Sequence, residues 1–155
     1  MTVQSMRPEL SENDIIRLMK GESSEERATV AHRLCRRIAT DVLSDGERQY
    51  ADEIIQILAK DTAELVRRTL SVTLRNSPRL PHSVAVQLAQ DVESVAIPLL
   101  ENSPVFSDED LIELVLSVTA AKQAAIAGRA SISGSLSEVI CEHASEIAVE
   151  TIASN

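Results

Sequence analysis

Two residue pairs have the types and spacing for metal chemistry. His32 and Cys35 stand three apart, and Cys141 and His143 stand two apart. Each pair offers soft ligands, but zinc takes four convergent ligands, so both would have to meet across the chain. Buried thiols and surface histidines are the simpler expectation, and no metal or cofactor is expected. A second cluster is cationic: Arg33, Arg36, Arg37, Arg67, Arg68, Arg75 and Arg79 could form a basic strip against a nucleic-acid backbone. Glu25, Glu26, Asp41, Asp52 and Glu64 interleave with these arginines and offer them ion pairs instead. Tyr50 and Phe106 are the only aromatics, so bases have little to stack on. There is no Gly-rich phosphate loop, no nucleophile elbow and no paired catalytic carboxylate motif. The sequence therefore reads as non-enzymatic.

The elements that hold these residues are helices. Hydrophobic residues make up 44% of the 155, mainly Leu, Ile, Val and Ala. They recur at three- and four-residue spacing, with no alternating β-branched runs. The fold expected is all-α with an aliphatic core. Cys35 and Cys141, each in a helical pattern, point to a reducing compartment. No signal peptide and no apolar run of spanning length is seen, so the expected location is cytoplasmic and no membrane partner is expected.

Capping signals mark the helix starts. Ser11 with Asp14 opens a short helix that Gly21 closes, and Ser24 opens a longer one. Ser44-Asp45-Gly46-Glu47 is a capping box. Asp61 should cap the helix after Lys60, with Glu64 at the box position. Asp91 marks a similar hinge, and Pro98 lies inside the helix that follows it. Ser107-Asp108-Glu109-Asp110 caps a further pair, and Ser133 or Ser135 the last.

These elements repeat. Asp61 to Asp91 is 30 residues, Ser107 to Ser133 is 26, and Asn-Ser-Pro recurs at Asn76 and Asn102, with Asn155 ending the last pair at the equivalent place. Such periods belong to helix-pair solenoids. The division expected is a flexible tail over 1–10, N-terminal helices over 11–43 packing on the solenoid, and helical repeats over 44–155, all in one domain.

Ile54 to Leu74 resembles the HEAT repeat, with Asp61 ending the first helix and Val66-Arg67 in the second. That resemblance implies a right-handed helical-hairpin solenoid of about four units. In it Asp61 caps the second helix and Arg67 bridges neighbouring units. A broader resemblance rests on Leu43-Ser44, Leu58-Ala59 with Asp61, Val66-Arg67, Leu88-Ala89 with Asp91, Pro98-Leu99-Leu100, Asn102-Ser103-Pro104-Val105, Ser107-Asp108, and Ala125-Ile126-Ala127 with Arg129. This is similar to an uncharacterised bacterial helical family, the domain of unknown function numbered 2336. Its members are typically longer, which implies an N-terminal piece of a longer protein.

Charge divides the chain. Residues 1–80 balance 13 Lys/Arg with 13 Asp/Glu. Residues 81–155 set Lys122 and Arg129 against 11 acids and so hold the entire formal charge of −9. Such a half repels nucleic acid and anionic lipid and suits a basic partner. The function expected is a protein-protein interaction module, regulatory or scaffolding. Its contact surface is expected at Asp108, Glu109, Asp110, Glu113, Glu142, Glu146 and Glu150, together with an open apolar face at Ile147, Val149 and Ile152. The partner is another protein or the remainder of a longer chain, with a homodimer as a variant. The alternative is nucleic-acid backbone binding through the arginine-rich first half.

Overall fold

A computed structural model describes residues 9–21 and 23–154. Most of the expected tail, and Asn155 as the end of the last repeat, lie outside the described residues. Among the described residues there are ten α-helices and no strand. Their starts follow the local signals. Ser44 with Glu47 and Ser107 with Asp110 form reciprocal capping boxes, and at Ser11 the Asp14 carboxylate accepts the Ser11 amide. Ser23, Thr119 and Ser133 each accept one free amide at a helix start.

The chain divides into two compact units, 1–70 and 71–155. In the first, α1 (Glu12–Lys20) packs on α2 (Ser24–Thr40) and on α3 (Asp45–Ala59), and α2 packs on α3. Leu18, Leu34, Ile38, Ile54, Ile55 and Leu58 are buried there. The helix α4 (Glu64–Thr73) follows and runs across the boundary between the units.

The second unit is a stack of helical hairpins. They are α5 (His82–Ala89) with α6 (Glu93–Asn102), α7 (Asp108–Ser117) with α8 (Ala120–Ala127), and α9 (Gly134–His143) with α10 (Glu146–Ser154). The second helices α6, α8 and α10 pack in a row, and the first helices α7 and α9 pack beside each other. That is the helical-hairpin solenoid arrangement. Each hairpin buries one face on the next, through Leu88, Leu99, Leu100, Val115, Ile126 and Ile140. Each such side chain contributes roughly 1.5–3 kcal/mol by leaving water. The two Asn-Ser-Pro endings fold alike: the buried Ser77 and Ser103 hydroxyls accept the Arg79 and Val105 amides, across the proline that cannot donate.

One expectation is corrected. Cys35 is buried, but Cys141 is exposed. The apolar stripe of α9 runs through Leu136 and Ile140, one helical turn apart, and Cys141 stands about 100° round from it.

Candidate interaction surface

The hinges between helices decide which charges remain outside. In the α3–α4 hinge, Asp61 accepts two bonds from Arg27 on α2, Nε at 2.8 Å and Nη2 at 3.1 Å. It also accepts the Ala63 amide at 2.9 Å. So Asp61 closes a turn rather than capping the helix directly. The helix begins at Glu64, and the Ala63 carbonyl accepts its first bond. Burial alone would raise the Asp61 carboxyl, but Arg27, the Ala63 amide and Arg67 outweigh it and hold the group below its ordinary value. Arg67 donates to the Asp61 and Thr62 carbonyls, inside its own hinge. The long reach belongs to Arg27, 34 residues away in sequence.

The second unit uses its cations similarly. Lys122 on α8 donates to the Ala89 carbonyl at 3.0 Å and to the Asp91 carbonyl, across to the preceding hairpin. The Asp91 carboxylate folds onto the Val92 amide. Burial pushes the Lys122 ammonium below its ordinary value, against the pull of Asp91 and Glu93. Arg129 donates to the Leu100 and Ser103 carbonyls at 2.7 and 2.6 Å, and its burial likewise lowers it. Pro98 is half-buried inside α6, and its carbonyl accepts the Asn102 side chain. Lys122 and Arg129 are the only Lys/Arg of residues 81–155, and both are turned inward.

The acids divide into two groups. Asp108 accepts the Ser133 hydroxyl at 2.6 Å, and that hydroxyl accepts the Leu136 amide, linking the starts of α7 and α9. Asp110 caps its own helix through Ser107 and meets His82 Nε2 at 2.8 Å. Burial would raise Asp110, but the Ser107 amide, His82 and the Ser107 hydroxyl hold it below its ordinary value. These two acids therefore join hairpins. Glu109 and Glu113 on α7, Glu142 on α9, and Glu146 and Glu150 on α10 are exposed. Glu142 lies 3.5 Å from His143. Ile147 is exposed on α10, while Val149 and Ile152 are half-buried.

Other clusters offer less. Among the described residues, no three His, Cys, Asp or Glu are grouped to hold a metal ion. In the expected basic strip, Arg37 pairs with Asp41 at 3.6 Å and reaches Glu47 at 4.0 Å. Arg33 and Arg37 line a cavity of about 390 Å³ together with Arg17, Asp14, Asp41, Val30 and Leu34. No described helix is long and apolar enough to cross a membrane. The inward-turned cations were not legible in the sequence, because nothing local distinguishes Lys122 from a surface lysine.

A family model described as an uncharacterised protein conserved in bacteria (DUF2336) matches residues 95–155. The resemblance to that family holds over this stretch, which runs from α6 to the end of α10. No curated protein and no solved structure matches the chain.

Proposed function

We propose that this chain is a non-enzymatic helical-repeat module that binds a basic protein partner through the acidic surface of residues 81–155. The observation that carries it is the inward turn of Lys122 and Arg129 onto backbone carbonyls. With Lys122 buried and Arg129 half-buried against carbonyls, that stretch keeps Glu109, Glu113, Glu142, Glu146 and Glu150 exposed. An uncompensated field of one sign steers a partner of the opposite sign and speeds its encounter. A HEAT-like role as scaffold or regulator, and a cytoplasmic setting, fit this reading.

The alternative, nucleic-acid backbone binding, has less support. Arg37 is ion-paired, and Arg67 is committed to its own hinge.

Affinity capture from the native cell extract tests the proposal. The bait is the whole gene product, beside a variant with those five glutamates changed to Gln. A protein recovered at physiological salt by the first and lost by the second supports the reading. Recovery of nucleic acid, or identical recovery by both baits, overturns it.

A further inference from the structure

The acidic surface does not specify what shape of partner it takes, but the hinge edge of the second unit does. Across the three hairpins from α5 to α10, three large apolar side chains are exposed: Val92 at 49%, Leu116 at 56% and Ile147 at 59%. Each lies at a hinge or within two residues of one. Val92 precedes α6, Leu116 is near the end of α7, and Ile147 is in the first turn of α10.

Bonds between hairpins bring these hinges side by side. The Thr119 hydroxyl donates to Glu93 at 3.1 Å, and Lys122 holds the Asp91 carbonyl. Gln123 accepts the Ser145 amide of the next hairpin at 2.9 Å, and it donates to the Val115 carbonyl of its own hairpin at 2.7 Å. The hinges of the three hairpins therefore follow one another along the stack, each with one exposed apolar residue in it or within two residues of it. Glu93, Glu142 and Glu146 are exposed among them, and the one nearby lysine is buried.

We infer that this edge docks a basic amphipathic helix of a partner protein. The inference rests on the reading of the acidic half as an interaction surface, and it names the occupant. Charge selects a cationic segment, because Lys122, the cation that would otherwise offset these acids, is spent on carbonyls. Spacing selects a helix. Packed helices sit about 8–10 Å apart, so successive hinges step by that distance. Seven residues of α-helix rise about 10.5 Å. Apolar residues at i, i+7 and i+14 would meet Val92, Leu116 and Ile147 in turn, with Lys or Arg between them for the glutamates. Such helix-on-surface recognition reads its partner through a few apolar anchors.

The test is fluorescence anisotropy with two labelled 21-residue peptides of identical Leu and Lys content. In one, Leu recurs every seven residues; in the other, the order is scrambled. The proteins are wild type, a hinge-edge variant (Leu116→Ser with Ile147→Ser) and a control (Glu101→Gln with Glu138→Gln). The control changes exposed acids away from the hinges, at the far end of α6 and in the first half of α9. Circular dichroism checks that each variant folds. The hinge-edge variant should bind the ordered peptide roughly tenfold more weakly, as loss of apolar anchors does. The control should change less than twofold, and the scrambled peptide should bind wild type at least tenfold more weakly. Equal binding of both peptides, or an equal loss in the control, overturns the hinge edge and leaves a charge-only surface. Failure of wild type to bind the ordered peptide at physiological salt overturns the basic-helix occupant. The capture experiment reports on the wider interaction reading independently.

Discussion

Changing Lys122 to Met sets two effects against each other. Methionine keeps the unbranched stem but removes the ammonium. The ammonium is buried, and its lowered pKa says that burial opposes its charge. Removing it relieves that cost. Against this, the Ala89 and Asp91 carbonyls lose their donor. Hydrogen bonds to a charged donor contribute about 1.5–3 kcal/mol each, and a buried acceptor left alone costs about 1–3 kcal/mol. The Ala89 carbonyl is the sharper case, because it ends α5 and the next helix does not begin until Glu93. The orphaned carbonyls should win, with a net loss of about 2 kcal/mol. For a unit the size of 71–155 that lowers the melting temperature by about 8–16 °C. Thermal melts followed by circular dichroism read the shift. Hydrogen exchange should show the loosening first in α5 and α6. A melting temperature equal to or above wild type would refute the reasoning, since it would mean that desolvation outweighs the bonds. The pH dependence adds a sign. The folded pKa lies below the unfolded one, so the unfolded chain holds the proton to higher pH. Stability from this group therefore rises with pH across the alkaline window between the two values. The gap between wild type and Lys122→Met should widen there.

The acid limb of unfolding tests Asp61. Its folded pKa is depressed, so its contribution is present above the ordinary carboxylate range and is lost as pH falls through the folded value. Asp61→Asn should be less stable than wild type at pH 7 by melting temperature, and the difference should close as pH drops below about 4. The thiols give a second contrast. Burial raises Cys35 from 9.0 to about 12, whereas Cys141 is exposed. At neutral pH a thiol reagent should label one cysteine per folded chain, Cys141 by mass spectrometry, and Cys35 only after denaturation. Rapid labelling of Cys35 in the folded protein would contradict its burial.

What could be read from the sequence was what neighbouring residues decide among themselves. Ser44 with Glu47 and Ser107 with Asp110 are boxes because both partners lie within one turn of backbone. The hairpin order followed from the same caps and from the repeated Asn-Ser-Pro endings. Pairings across many residues were hidden. Asp61 looked like a simple cap, yet its carboxylate answers to Arg27 on another helix. Asp108 and Asp110 belong to the contact surface expected from the sequence, yet Ser133 and His82 bind them from neighbouring hairpins. Cys141 falls in a helical pattern, but only the stripe through Leu136 and Ile140 says which face goes inward.

The long-range pairings share one physical cause, and it bears on function. Each helix ends with carbonyls that no later amide in that helix can reach. In a stack of hairpins those ends come close to the next hairpin, so a long cation there can reach back and satisfy them. Arg129 does this at the end of α6, and Lys122 at the α5–α6 hinge. The same step that joins the hairpins withdraws positive charge from the surface. The acidity of the second half is thus coupled to how the repeats are held together. A substitution that returned Lys122 to solvent would weaken the stack and blunt the surface field together.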